Sequence, residues 1–119
     1  MDFSVPEEHV AIRAAVRELC AAYPDAYWRE LDRTKAYPTE LVHTLTEAGW
    51  LAALIPAEYG GSGLGITEAS IILEEINHTG GNAATAHAQM YIMGTVLRHG
   101  SADQKQRYLP QVARGELRK

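Results

Sequence analysis

The sequence predicts an all-α fold of five to six helices, arranged as a bundle-like domain with short turns. Apolar residues recur at three- and four-residue steps through most of the chain, and proline or glycine separates these periodic segments. The apolar run at residues 50–55 could be extended, but the chain offers no second strand to pair with it. The 119 residues, 46% of them hydrophobic, are sufficient for one domain with a buried core.

The first helix is predicted to begin at a capping box and to run to about Ala22. Ser4 and Glu7 have the spacing of a capping box, in which the side chain of each residue accepts a hydrogen bond from the backbone amide of the other residue. The lone cysteine, Cys20, is expected to be a small buried residue, which is typical of a reducing compartment. The predicted inner face consists of Ile12, Ala15, Val16, Leu19 and Tyr23.

Proline residues mark the next two helices. Pro24 interrupts the first helix and permits a short second one over residues 25–33, and Pro38 begins a third. Gly49 occupies the C-terminal position of this third helix, where a positive φ is needed, and residues 50–55 are interpreted as a buried connector. The predicted inner face of the third helix is Leu41, Val42, Leu45 and Ala48.

A glycine-rich loop follows the connector and leads into the second half of the chain. A glycine-rich turn before a helix can bind phosphate through its amides, but Gly61 and Gly63 would require a third glycine where Ile66 stands. No alternation of strands and helices surrounds the loop either. The loop is therefore interpreted as a tight structural turn.

Three further helices are predicted after this loop. Thr67 caps the first, with Ile66 and Ile71 at hydrophobic-staple spacing, and residues 83–98 form the most apolar helix of the chain, ended by Gly100. Such a helix should be buried on all sides or meet a partner or ligand on its second face. A capping box at Ser101 and Gln104 opens the last helix, which Pro110 disturbs. In the first and third of these helices, the residues predicted to face inward are Ala69, Ile72, Leu73, Ile76, Tyr108, Leu109 and Val112.

Composition excludes several classes of function. A net charge of −4 with scattered basic residues argues against nucleic-acid binding. None of the five histidines stands four residues from another, so no metal site is expected. No apolar run reaches the length of a membrane span, and no signal peptide is recognisable, so a cytoplasmic protein is expected.

Several side chains are candidates for chemistry, each beside a structural interpretation. His87 is either a core histidine, which we favour, or a catalytic group, and the adjacent Glu74 and Glu75 are either a solvated face or the source of a general base. Small residues on the apolar helix indicate close helix packing or room for a ligand beside the backbone. They are Ala84, Thr85 and Ala88, followed on nearly the same face by Tyr91.

The order of several motifs resembles the N-terminal helical domain of acyl-CoA dehydrogenases over essentially the whole chain, residues 1–119. These motifs are IPAEYGGSG at 55–63, LEEI at 73–76, the alanine-rich helix with His87, GSADQKQRYLP at 100–110 and Gly-Glu at 115–116. The resemblance implies a subunit with a middle β-domain and a C-terminal helical bundle, which hold FAD together with a neighbouring subunit. It also implies that the α-proton of an acyl-CoA thioester is removed by a glutamate that usually lies in the C-terminal part.

The resemblance assigns part of the acyl-chain pocket wall to Ala84, Thr85, Ala88 and Tyr91, and the two alanines suggest a longer or branched acyl chain. It places no catalytic residue and no FAD contact in this chain, so the 119 residues alone are expected neither to hold FAD nor to be active. Acyl-CoA, the remaining domains and a homo-oligomer are the implied partners. The alternative is a stand-alone, non-enzymatic helical module that docks a partner through its apolar helix.

Overall fold

The computed structural model describes residues 1–117, and it confirms the all-α fold class. No strand occurs in these residues. Two 3₁₀ turns, Trp50–Ala52 and Ala57–Tyr59, connect the third and fourth helices. The six α-helices of this part of the chain are α1 (Glu7–Cys20), α2 (Asp25–Thr34), α3 (Thr39–Glu47), α4 (Ile66–His78), α5 (Ala84–His99) and α6 (Ala102–Ala113).

The core consists of two clusters of buried side chains. The larger one lies where α1, α3, α4 and one face of α5 meet, and it includes Cys20, which is 4% exposed as predicted. The smaller cluster lies under α6, where Leu109 and Val112 pack with Ile55 and Met93. Three residues predicted to face inward are exposed instead: Ala15, Ala48 and Tyr108. Ala15 and Tyr108 lie at the edges of their helical stripes, and Ala48 follows the last residue of α3.

The contact between α1 and α4 contains a buried carboxylate. Glu75 is 1% exposed, and its Oε1 accepts a hydrogen bond from Arg17 Nε at 2.6 Å. Arg13 Nη1 lies 3.1 Å from Glu74 Oε1 and 3.5 Å from Glu75 Oε2. The interpretation of both glutamates as a solvated face is therefore correct for Glu74, which is exposed, and wrong for Glu75, which is buried in the interface. The hydrogen bond from Arg17 lowers the pKa of Glu75 below its usual value, against an opposing effect of burial.

Two predicted N-terminal helix caps are wrong and one is confirmed. Pro6 is the N-cap of α1, and the Ser4 backbone amide donates to Asp2 Oδ1, so the Ser4 capping box does not form. Gly65 rather than Thr67 precedes α4. At α6, Ser101 Oγ accepts from the Gln104 amide and Gln104 Oε1 accepts from the Ser101 amide, as predicted.

The connector at residues 50–55 is buried but not extended. Gly49, at φ +86°, ends α3 with the positive φ expected, and the chain then forms a 3₁₀ turn. Leu51, Ala52 and Ala53 are each at most 4% exposed. A helical turn suits this segment because it satisfies backbone groups locally where no neighbouring strand exists.

The glycine-rich loop is a turn whose amides already have partners inside the chain. The amides of Gly61, Ser62, Gly63 and Leu64 donate in turn to the carbonyls of residues 56, 52, 55 and 53. At Gly61 a Cβ atom would lie 2.6 Å from the carbonyl oxygen of Ala52 and closer still to that of Ile55. The loop is therefore folded back tightly on the connector, in agreement with the structural interpretation.

The domain has the shape of a slab measuring 45 × 43 × 19 Å. Its radius of gyration is 14.8 Å, against about 13.5 Å for a typical domain of this length. Its accessible surface is 7384 Å², against roughly 6,400 Å² for a typical monomer of this mass. Because a helix with its side chains is about 10 Å wide, the slab is two helices thick and its outer helices have open faces.

Candidate functional site

Helix α5 has one buried face and one open face. Ala86, Met90 and Met93 are at most 4% exposed and contribute to the core. Gln89 is also buried, and its Nε2 donates to the carbonyl oxygen of Leu117 at 2.9 Å. The apolar helix therefore meets the core along one side, and its second face is left open by the part of the chain that the structure describes.

The four residues proposed for a pocket wall lie on or beside this open face. Ala84 is exposed, Thr85 and Ala88 are half-buried, and Tyr91 is 52% exposed. Ala84, Ala88 and Tyr91 follow at steps of four and three residues, so they form one continuous stripe along the helix. Ala84 and Ala88 are not in the buried set that packs α5 on the core.

His87 is exposed, so its interpretation as a core histidine is wrong. It precedes Ala88 on the outer side of α5. The centroid of its ring lies 5.4 Å from the centroid of the Tyr91 ring, in an edge-to-face arrangement. With Ala84 it lines a shallow depression of about 400 Å³ toward Leu73 and Asn77 of α4. Because this helix is apolar on nearly every side, its sequence does not indicate which side the core covers, and the burial of His87 could not be predicted from it.

A second, more enclosed cavity of about 390 Å³ lies between α2 and the beginning of α5. Ala84 and Thr85 line it, so two of the four wall residues also border this cavity. It was not predicted, because its walls come from segments some fifty residues apart in the sequence. The remaining lining residues are Trp28, Leu31, Asp32, Lys35, Ala36, Pro38, Gly80, Gly81 and Asn82.

Asparagine side chains and a glycine fix the start of α5. The amides of Ala83 and Ala84 donate to Oδ1 of Asn77 and Asn82 at 3.2 and 2.8 Å. A Cβ atom on Gly81 would lie 2.8 Å from Cζ2 of Trp28, so the backbone of the α4–α5 turn passes directly over the indole ring. Trp28 of α2 therefore lies against the turn that leads into α5.

The two glutamates of α4 pair with arginines of α1 rather than with groups on the open face of α5. Glu75 is engaged with arginines on the far side of α4, and Glu74 is exposed beside Arg13. No group of three potential metal ligands forms within residues 1–117. In the same residues, no helix has both the length and the apolar character that crossing a lipid bilayer requires.

The glycine loop does not fit the pyrophosphate of a dinucleotide such as FAD. The glycine loop is the natural place to look, yet its consecutive amides donate to carbonyls of the preceding connector. A phosphate cradle needs such amides free and converging on the ligand. We therefore assign no flavin contact to this loop.

Comparison with known proteins identifies the family. Residues 6–116 match the acyl-CoA dehydrogenase N-terminal domain. The chain is similar to the acyl-CoA dehydrogenase FadE12 of Mycobacterium tuberculosis, with 34% identity over 116 residues, covering 97% of this chain and 30% of the relative.

Solved structures agree with the sequence match. The glutaryl-coenzyme A dehydrogenase complex with glutaryl-CoA superposes with a TM-score of 0.85 at 27% identity, covering 99% of this chain and 31% of that one. An acyl-CoA dehydrogenase complexed with FAD from Bacillus anthracis gives 0.80 at 27% identity, covering 95% and 20%. The chain thus spans about a third or less of these proteins. By sequence and fold, it belongs to the acyl-CoA dehydrogenase family and corresponds to its N-terminal helical domain.

Proposed function

We propose that this chain is the N-terminal domain of an FAD-dependent acyl-CoA dehydrogenase and that it forms part of the acyl-chain pocket wall. The complete enzyme would carry out α,β-dehydrogenation of an acyl-CoA thioester. Within this domain, Ala84, Thr85, Ala88 and Tyr91 would contact the acyl chain. The catalytic base and the flavin contacts would come from the remaining domains.

The open face of α5 is the observation that carries this proposal. An apolar helix that is half uncovered exposes a surface that is costly to leave in water, and its small residues allow an aliphatic chain to approach the backbone. The excess accessible surface of the slab supports the same interpretation, because a typical monomer of this mass exposes less total surface. The remaining domains of the subunit would cover what the acyl chain does not.

The cofactor and assembly follow from the family and are part of the proposal. FAD would be held by the parts of the subunit beyond this domain and by a neighbouring subunit of a homo-oligomer in the cytoplasm. A relative of known structure is described as complexed with FAD. The 119 residues purified alone should therefore contain no flavin, and a stoichiometric flavin absorption spectrum from them would contradict this assignment.

A substitution on the open face tests the pocket wall. In the complete flavoprotein, Ala88→Phe should reduce kcat/KM for dodecanoyl-CoA at least tenfold and leave butyryl-CoA within twofold, because the phenyl ring fills the path of a long chain. Ala11→Phe, at an exposed position of α1, is the matched control and should change neither value. Equal loss for both substrates, or no loss for either, would contradict a wall at Ala88.

A further inference from the structure

We propose that the cavity between α2 and the start of α5 receives the far end of the acyl group, so that the substrate is a thioester with a long or ring-bearing hydrocarbon tail. This inference rests on the proposed function. It extends the binding site beyond α5, to residues of α2 and of the α2–α3 connection.

The position of the cavity connects it to the proposed pocket wall. Ala84 and Thr85 line both, at the N-terminal end of the open face. From Tyr91 to Ala84 the helix rises about 10 Å. A chain that lies along this face toward the beginning of α5 therefore arrives at the cavity, where Ala84 adds only a methyl group to the lining.

The size and lining of the cavity are suited to a ligand. Its volume of about 390 Å³ lies within the range of roughly 300–1,000 Å³ typical of small-molecule pockets. The half-buried Trp28 ring lines the cavity and lies against the backbone at Gly81, where a Cβ atom would already be too close. An indole ring gives a flat apolar surface, against which a ring or a methylene chain can pack.

The charges at the cavity favour an uncharged tail. Asp32 and Lys35 both line the cavity and both are exposed, so one charge of each sign stands at its rim. Their opposite charges give no net attraction for a carboxylate or an amine. The apolar groups Trp28, Leu31 and Pro38, all half-buried, are left as the surface that a hydrocarbon tail would cover.

Tryptophan fluorescence tests the inference separately from the reaction. In the 119-residue chain carrying Trp50→Phe, Trp28 is the remaining tryptophan, and dodecanoyl-CoA below its micelle concentration should shift its emission to the blue and saturate. Butyryl-CoA should produce no shift, because a short chain cannot reach the indole. An unchanged emission with dodecanoyl-CoA would overturn the proposal.

A variant pair then locates the bound tail. Ala36→Phe places a ring among the cavity-lining residues outside α5 and should weaken the dodecanoyl-CoA response at least tenfold. Ala26→Phe, exposed on α2 and not among the cavity-lining residues, should leave it unchanged. Equal responses from both variants would overturn the proposal, provided that circular dichroism shows both folded.

Measurements on the complete flavoprotein distinguish failure of the cavity inference from failure of the proposed function. One outcome is that the wild type and Ala36→Phe both act on acyl-CoA thioesters with the same dependence on chain length. That result would contradict the cavity inference and leave the proposed function intact. Absence of activity on any thioester would contradict the proposed function, and the Trp28 response would still report whether the cavity binds a hydrocarbon tail. A tenfold selective loss of kcat/KM for dodecanoyl-CoA in Ala36→Phe supports both.

Discussion

The α1–α4 interface and the open face of α5 show opposite uses of a helix surface. Between α1 and α4, isoleucine and valine side chains are buried, and Glu75 is enclosed with arginine partners. Along α5, alanine, threonine, histidine and tyrosine are left half-buried or exposed. The first surface is packed against another helix of the same domain, and the second is available to a ligand or another domain. Stability and binding therefore depend on different helices, and substitutions should separate them.

The largest effect is expected at Gly61, in the loop that leads into α4. Gly61→Val should prevent folding at a cost of about 4 kcal/mol or more, since its Cβ would overlap the backbone of the connector. Far-UV circular dichroism and urea unfolding measure this. Gly60→Ala is the control: its φ is +92° and its nearest neighbour would be 3.8 Å away, so about 1–2 kcal/mol of backbone strain is expected. Equal costs at the two positions would contradict the steric explanation.

A smaller but pH-dependent effect is expected at Glu75. Glu75→Gln should lower the free energy of unfolding at pH 7 by about 1–3 kcal/mol, because it removes the charge from a buried hydrogen bond to Arg17. The pKa of Glu75 is lowered in the folded state, so its stabilisation is present above the ordinary carboxyl pKa of about 4.3 and is lost as the pH falls through the lower folded value.

Urea titrations at pH 7 and at acid pH check this expectation. The difference between wild type and Glu75→Gln should shrink in acid. Glu74→Gln serves as the control, because that side chain is 66% exposed and its ion pair should contribute less than about 1 kcal/mol. A pH-independent difference at Glu75 would contradict the electrostatic origin of the effect.

A modest stabilisation is expected within α5. Nothing lies within 4 Å of the Cβ that Gly94→Ala would add, and the residue has no positive φ. Alanine should therefore raise the free energy of unfolding by about 0.5–1 kcal/mol through helix propensity, measured as a higher Tm. Gly81→Ala, which would press on Trp28, should lower it. A loss of stability at Gly94 would show that this side of α5 is more tightly packed than the structure indicates.

The smallest effect on stability is expected on the open face. Ala88→Phe should change the free energy of unfolding of the 119-residue chain by less than about 0.5 kcal/mol, because the ring extends from a half-buried position that is not part of the core. Urea unfolding measures the change. A cost above about 2 kcal/mol would mean that Ala88 is packed like the residues of α1 and α4, and the comparison between the two surfaces would fail.

The sequence predicted the helices well because local signals determine them. The apolar periodicity located α1 to α6, and proline, Gly49 and the Ser101 capping box marked several of their ends. The errors at Ser4 and Thr67 have a common cause. A residue type suited to capping was present near each helix start, but the observed N-caps, Pro6 and Gly65, each lie two positions away.

The site was harder to predict because burial is decided by tertiary contacts. Glu75 and His87 illustrate this in opposite directions, since the charged residue is buried and the residue in the apolar helix is exposed. Nothing in the local sequence around Glu75 shows that Arg13 and Arg17, some sixty residues earlier, face it. The cavity at Trp28 depends in the same way on the packing of α2 against the α4–α5 turn.

The slab shape has a consequence for unfolding by denaturant. The slope of the free energy of unfolding against urea concentration follows the surface that unfolding newly exposes. A chain that already leaves about 1,000 Å² more surface in water than a typical monomer has correspondingly less to expose. We therefore expect a shallow urea transition for these 119 residues alone, and a steeper one when the same residues unfold as part of an assembly that covers the flat faces.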